Sequence, residues 1–239
     1  MTEVILSKQM SLNKDQIEKG RSLWQDAFYR LIQNKMAVAG FLYLLIQSLI
    51  AILAPWLVSF SYEETDLLLG AVAPDATHWF GTDDLGRDMF TRILYGSRIS
   101  LMVGVLATTV SIVIGVLYGA ISGFLGGRVD MLMMRFLEIL YAMPFIFFVI
   151  ILMVLFGRNI FLIFIALGAI QWLTMARIVR GQVISLKNME YVDAARSMGV
   201  SNLTIILRHM IPNVLGTVIV YATLTIPGVI LEEAFLSFL

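Results

Sequence analysis

The sequence predicts an all-α polytopic membrane protein with five transmembrane spans, and three observations carry that expectation. Apolar residues fill 59% of 239 positions and charged residues only 14%, which is far from the usage of soluble globular domains. The charges are gathered together, so most runs long enough to cross hydrocarbon carry none. The segments between those runs differ in their content of Lys and Arg, as the two sides of a membrane require.

In chain order, residues 1–35 form a polar tail of mixed charge. Leu23, Trp24, Phe28 and Leu31 repeat near the helical period beside Arg21, Arg30 and Lys35. They predict a helix lying on the inner membrane surface with its aromatic rings at headgroup depth; a signalling or calmodulin-like target is the alternative. The tail lacks a basic stretch followed directly by a short apolar core, so it does not read as a cleaved signal peptide.

Residues 36–60, Met36 to Phe60, are 25 positions without a formal charge. At about 1.5 Å per residue they exceed the ~30 Å hydrocarbon layer and form the first span. The second is expected over Ile99 to Phe124. The third runs from Met131 to Phe156, with Arg135 and Glu138 near one end and Pro144 in its middle. The fourth is Ile160 to Ala176, and the fifth Val214 to Leu231 with Pro227 and Gly228 inside it. The last residues, Glu232 to Leu239, stop abruptly, which leads us to expect a sixth span lost by truncation.

Residues 175–212 carry five basic side chains (Arg177, Arg180, Lys187, Arg196 and Arg208) against two acids, and residues 1–35 carry six against four. Residues 61–98 carry three against seven. The basic segments belong inside, so the N-terminus is placed in the cytosol, 61–98 outside as a periplasmic loop, and 182–212 inside.

That inner segment holds the most informative stretch, Glu190-Tyr-Val-Asp-Ala-Ala-Arg-Ser-Met-Gly199. In a helix Tyr191, Ala194, Ala195 and Met198 share one face, and two small alanines would let a partner approach closely. Gly199 stands where a left-handed cap favours a residue without Cβ, and Ser201 can cap a second helix that Pro212 is expected to end after Met210.

The pattern Asp193-Ala194-Ala195-x3-Gly199-x12-Pro212 resembles the coupling-loop motif, Glu-Ala-Ala-x3-Gly-x9-Ile-x-Leu-Pro, of permease subunits of bacterial binding-protein-dependent ABC importers. Asp193 replaces the usual Glu and keeps its charge, Ile211 replaces Leu and keeps its bulk, and His209 stands where Ile is common, as in the peptide branch. A second match is independent: His78-Trp-Phe-Gly81-Thr82-Asp83-Asp84-Leu-Gly86-Arg87-Asp88 resembles an element that precedes the second span of dipeptide and oligopeptide permeases. Gly20 to Asp26, Ile99 to Gly104, Met133 to Leu140, Ala176 to Gly181 and Leu236 to Leu239 extend the likeness over nearly the whole chain. Taken together these segments resemble the C-type permease subunit of bacterial oligopeptide ABC importers.

The resemblance implies a type I ABC importer permease fold over residues 99–239 and a multi-pass place in the bacterial inner membrane. It implies a heterodimer with a second permease subunit, two cytosolic ATPase subunits, a periplasmic oligopeptide-binding protein and a peptide substrate, in contact with membrane lipid. Glu190, Tyr191, Asp193, Ala194, Ala195, Met198 and Gly199 would dock the ATPase and transmit force by alternating access. ATP and Mg would be used by those partners, with no cofactor bound by this chain. Dipeptides, antimicrobial peptides or nickel chelates are the alternative cargo.

Other features have two readings each. Ala107, Ser111, Gly115, Gly119 and Gly123 recur every four residues, a stripe that lets another helix pack closely in lipid; its partner lies in this chain or in a second permease. Pro144, Phe145 and Phe148, with Phe147, form a gate or face lipid, and Pro227 with Gly228 breaks a span that lines the pathway. Arg135 and Glu138, three apart, form a structural pair or a proton relay. His78 with neighbouring carboxylates gives only a weak metal signal.

The chain has no Cys and two His, which leaves no thiolate site, no plausible Ser/His/Asp set and no expected metal. It has no Gly-x4-Gly-Lys-Ser/Thr loop, so it is read as non-enzymatic. Zero net charge argues against a nucleic-acid partner. An ion-coupled secondary transporter would need an ionisable group at mid-membrane, and the five spans as bounded above carry none; uptake driven by a proton gradient without ATPase subunits would favour it. A non-transporting scaffold would leave the inner helix without an ATPase.

Overall fold

An apolar segment can enter hydrocarbon only if its backbone groups bond within the structure, and a helix meets that need inside one segment. The computed structural model describes residues 23–157 and 160–238, and every regular element there is helical, with an isolated bridge between Thr82 and Asp88. The chain divides into two compact units, Met1–Leu53 and Ala54–Leu239.

The first unit contains α1 (Leu23–Gln33) and most of α2 (Lys35–Leu57). Asn34 separates them: its side-chain oxygen accepts the Met36 and Ala37 N–H groups at 3.1 and 3.2 Å, satisfying donors that the first turn of α2 leaves unpaired. Of the surface helix expected here, Phe28 and Leu31 are exposed, while the tail to residue 22 and the side chains of Leu23 and Trp24 lie outside the described residues.

The second unit is built on α3 (Met89–Leu125), α4 (Gly127–Ala142), α5 (Phe145–Phe156), α6 (Ile160–Leu186), α7 (Glu190–Ser197), α8 (Asn202–Ile205) and α9 (Ile211–Phe238). Among the described residues three helices are long and apolar enough to cross a membrane: Lys35–Leu57, Met89–Leu125 and Asn202–Ser237. Gly127–Ala142 and Ile146–Phe156, bent by 77°, make a fourth if taken as one span. α6, at 27 residues, is about 40 Å long.

Several boundaries differ from expectation. α3 starts at Met89, ten residues before Ile99, because Asp88 caps it: its carboxylate accepts the Thr91 N–H at 2.8 Å. Arg92 and Arg98 therefore ride on helix rather than loop. Pro144 is not inside a helix but occupies the N-cap position of α5, where its missing N–H costs nothing. The fourth apolar run continues past Ala176 to Leu186.

Pro212 does not end the helix that Ser201 starts. The chain widens into a π turn over Ile206–Met210, with the Ile211 N–H bonded to the Ile206 carbonyl, and resumes as α9. The widened turn shifts the hydrogen-bond ladder just ahead of a ring that cannot donate. Asn213 Nδ2 donates to the His209 carbonyl at 2.6 Å. Pro227 also lies inside α9, which runs unbroken to Phe238, so Pro227 and Gly228 do not break this helix.

α3 packs along α6. A methyl on Gly119 would lie 2.3 Å from the Ala176 carbonyl oxygen, and Gly115 and Gly123 face Met175 and Arg180 almost as closely. The glycine part of the stripe thus meets a helix of this same chain. Where lipid is as apolar as leucine, contact at this range replaces hydrophobic drive with dispersion. One core, including Val116, Phe124, Met175, Val179 and Val183, gathers at the α7 end; Val103, Ala107, Val149, Leu167, Val229 and Leu236 form another.

Candidate functional site

α7 is a short helix held by its middle. Glu190 and Asp193 in its first turn and Arg196 in its last suit the helix dipole. Val192 and Ala195, 0% and 2% exposed, enter the core beside Phe124, Val183, Ile205 and Met210. Glu190, Tyr191, Asp193, Ala194, Met198 and Gly199 remain exposed. Ala195 therefore does not share an outward face with Tyr191, Ala194 and Met198: Val192, three residues earlier, turns that side of the helix into its own bundle.

The helix ends in a Schellman turn. The Gly199 N–H bonds to the Arg196 carbonyl at 2.9 Å and the Val200 N–H to the Ala195 carbonyl at 3.1 Å, with Gly199 at φ +75°. Ser201 then caps α8 by accepting the Thr204 N–H at 3.3 Å. The Arg196 guanidinium lies 5.1 Å from the centre of the Phe124 ring and 3.4 Å from the Asp193 carboxylate. The α7–α8 corner is thus tied to the end of α3.

Next to that anchor is a lock that sequence reasoning missed. Arg180 on α6 donates through Nε and Nη2 to both oxygens of Asp130 on α4, a two-point fork that fixes orientation as well as charge. Ser122 on α3 donates to the same carboxylate, and Lys187 Nζ donates to the Gly123 carbonyl at 3.0 Å. Three helices meet in one polar cluster beside the root of α7. Asp130 and Arg180 stand 50 residues apart, and no local pattern links them.

In the gate region, Phe148 packs against the core cluster that contains Val103, Ala107 and Val149, while Phe147 and Pro144 are exposed; the side chain of Phe145 lies outside the described residues. Ala107 and Ser111 are buried at 1% and 0%. Pro227 and Gly228 sit within the continuous α9, and a Cβ on Gly228 would meet nothing within 4 Å. Arg135 and Glu138 pair at 3.1 Å on the surface.

Because α9 continues past Leu231, Glu232 and Glu233 belong to the bundle. Gln171 donates to Glu232 at 2.8 Å, and Ser100 and Ser237 donate to the buried Glu233 at 2.7 and 2.8 Å. Ionisable groups then lie in the last two turns of the long apolar helix Asn202–Ser237 rather than beyond it.

The loop before α3 is a folded body. The Thr82 hydroxyl accepts the Val72 N–H at 2.8 Å and donates to the Gly70 carbonyl at 2.7 Å. His78 Nδ1 lies 3.0 Å from Asp88, and its ring stacks on Phe60. Asp83 pairs with Arg87 at 2.7 Å and with Arg92. The Arg87 hydrogen bond holds the Asp83 carboxyl well below the usual carboxylate range. Burial pushes Asp88 up, but hydrogen bonds from Thr91 and His78 outweigh it and leave the group lowered. Among the described residues no three His, Asp or Glu side chains converge as metal ligands would.

A bundle of long apolar helices, with a small helix anchored at one end by its own core, defines a multi-pass membrane protein. The family described as "binding-protein-dependent transport system inner membrane component" matches residues 111–239, and that described as "N-terminal TM domain of oligopeptide transport permease C" matches residues 22–74. The chain is 57% identical over 231 residues to the oligopeptide transport system permease protein OppC of Haemophilus influenzae, covering 94% of this chain and 74% of that one. It is 55% identical to OppC of Escherichia coli over 223 residues, 92% and 74% of the two chains. It is 45% identical to the dipeptide transport system permease protein DppC of Bacillus subtilis over 236 residues, 98% and 74%. The chain belongs to the inner-membrane permease family of binding-protein-dependent transport systems. It is a multi-pass membrane protein of that family, and this membership, rather than the absence of intramembrane charge, is what sets the ion-coupled class aside.

Proposed function

We propose that this chain is the C-type permease subunit of an ATP-driven oligopeptide importer and that α7 is its coupling helix. The observation that carries the coupling role is the division of α7 into two sides. Val192 and Ala195 root it in the core, while Tyr191, Ala194 and Met198 are left for a partner. A pushed lever must be stiff at its root, and burial of a residue such as Val192 contributes roughly 1.5–3 kcal/mol to that. Identity to oligopeptide permeases above 50% over more than nine-tenths of the chain supports the cargo.

In this reading the N-terminus and α7 lie in the cytosol and the loop before α3 faces the periplasm. Two ATPase subunits use ATP and Mg, a second permease completes the pathway, and a periplasmic protein delivers peptide. This chain itself is non-catalytic. Closure of the ATPases displaces α7, and the Asp130–Arg180 lock carries the motion into α3, α4 and α6.

The chain has no native cysteine, so Ser197→Cys is a unique label. A membrane-impermeant maleimide should modify it only from the cytosolic side, and labelling from outside overturns the reading. Complexes purified through this chain and reconstituted should import labelled oligopeptide only with ATP on the α7 side. Uptake driven by a proton gradient in the absence of ATPase subunits would be the opposite result.

A further inference from the structure

A cavity of about 420 Å³ lies between the end of α2 and the first turn of α3, and the coupling role makes no use of it. Leu57, Trp79 and Phe90 form its apolar wall, and Thr77, Asp88 and Thr91 its polar side. Asp88 and Thr91 are 6% and 1% exposed.

The Thr91 hydroxyl makes no hydrogen bond of ordinary geometry, although it lies close enough to the Asp88 carboxylate to help lower it. A helical threonine commonly returns its hydroxyl to the carbonyl four residues back, as Thr109 does to Val105 and Thr225 to Tyr221. For Thr91 that carbonyl belongs to Arg87, and it already accepts the Asp83 N–H at 3.1 Å. A buried hydroxyl is left without a well-formed bond on a residue that lines the cavity. Each Asp88 oxygen has one partner, His78 or the Thr91 N–H, and so keeps a free lone pair. Arg87 and Arg92, the basic residues nearest in sequence, are engaged by Asp83.

These acceptors ask for a compact donor with positive charge. An ammonium has three donors and no acceptor, which suits Asp88, Thr91 and Thr77 together. The rings of Trp79 and Phe90, with centroids 5.1 Å apart, offer faces to adjoining methylenes and to the cation. An anion would meet Asp88, and a wholly apolar guest would strand both polar groups. We propose that this cavity binds a primary ammonium group carried on an apolar body.

Two sources share that chemistry. Leu57 is the last residue of the long apolar α2 and Trp56 beside it is 77% exposed, which puts the cavity where a spanning helix meets the headgroup layer and within reach of an ethanolamine lipid. The free N-terminus of an apolar peptide is the other source.

The test uses the full complex purified in detergent and native mass spectrometry. One arm titrates phosphatidylethanolamine against its N-acetyl derivative; the other titrates a Phe-Leu dipeptide against N-acetyl-Phe-Leu. In at least one arm the free amine should be retained about tenfold better, as expected for hydrogen bonds to a charged group, and that arm identifies the source. Thr91→Val, which removes only the hydroxyl and leaves the backbone cap to Asp88 in place, should abolish the preference, as should Asp88→Asn, which keeps the helix cap. Equal retention of free and acetylated forms in both arms overturns the proposal, and so does an unchanged preference in Thr91→Val. Should Asp88→Asn fail to assemble, Thr91→Val decides alone. Neither outcome touches ATP-dependent uptake, so the coupling reading stands or falls separately.

Discussion

Gly199 separates two kinds of constraint that a turn glycine can carry. Its φ of +75° disfavours any side chain, yet a Cβ there would meet nothing within 4 Å. The requirement is conformational and not steric, so Gly199→Ala should lower stability by about 1 kcal/mol and Gly199→Asn by less, read from thermal unfolding in detergent. Complete failure to fold with alanine would contradict that conformational reading. Charge at the loop before α3 makes a second prediction. Asp75, Asp83 and Asp88 are all lowered: Asp75 by the His78 and Thr77 backbone N–H groups, Asp83 by Arg87, and Asp88 by Thr91 and His78 against the opposing pull of burial. A lowered folded-state value means the stabilisation is complete above the unfolded carboxylate range, about pH 4, and is lost as pH falls through the lower folded values. Hydrogen-exchange protection of the Thr82 and Met89 amides should be flat from about pH 7 to 5 and decline below about 4. A decline already between pH 7 and 5 would overturn the assignment of the loop's stability to these carboxylates.

The close seam between α3 and α6 sets what those helices tolerate. Gly119→Ala would place a methyl 2.3 Å from the Ala176 carbonyl oxygen, against backbone that cannot rotate away, whereas the same change at Gly216 meets open space. Gly119→Ala should cost at least about 1–3 kcal/mol, the usual penalty of overpacking, and Gly216→Ala should be neutral or stabilising through helix propensity. Equal thermal stability of the two variants would mean that the seam opens freely. This seam was legible in the sequence because small residues every four positions are a local, periodic signal. The start of α3 was not, since Arg92 and Arg98 suggested a loop although charge does not end a helix; the Asp88 cap was the better sign. The two outlying prolines misled for a related reason. A proline forbids one hydrogen bond, and the chain absorbed that at Pro212 with a π turn and at Pro227 within α9. The Asp130–Arg180 lock could not be read at all, because a pairing between residues 50 apart leaves no trace in spacing.

Across the whole molecule the proposed roles divide between a bundle that must hold its shape and a surface that a partner would grip. The composition and the uncharged runs made the first legible, and the Gly199 turn marked the helix proposed for the second. Helical spacing alone could not say which alanine belongs to which role, since the burial of Val192 rotates Ala195 into the core and leaves Ala194 outside. That division makes the paired substitutions Ala194→Arg and Ala195→Leu diagnostic. Ala194 is exposed and Ala195 is 2% exposed among Phe124, Val183 and Ile205. Ala195→Leu should lower stability by about 1–3 kcal/mol through overpacking before any partner is involved. Ala194→Arg should leave thermal stability within about 0.5 kcal/mol of the parent but weaken association with the ATPase subunits by about 30-fold, the scale of disrupting one residue at the centre of an interface. Association is measured by co-purification at graded salt and by peptide-stimulated ATP hydrolysis in proteoliposomes. If Ala194→Arg binds and couples normally, the exposed side of α7 is not the gripped surface. The force must then enter through other exposed residues of 182–212, Leu203 and Leu207 among them.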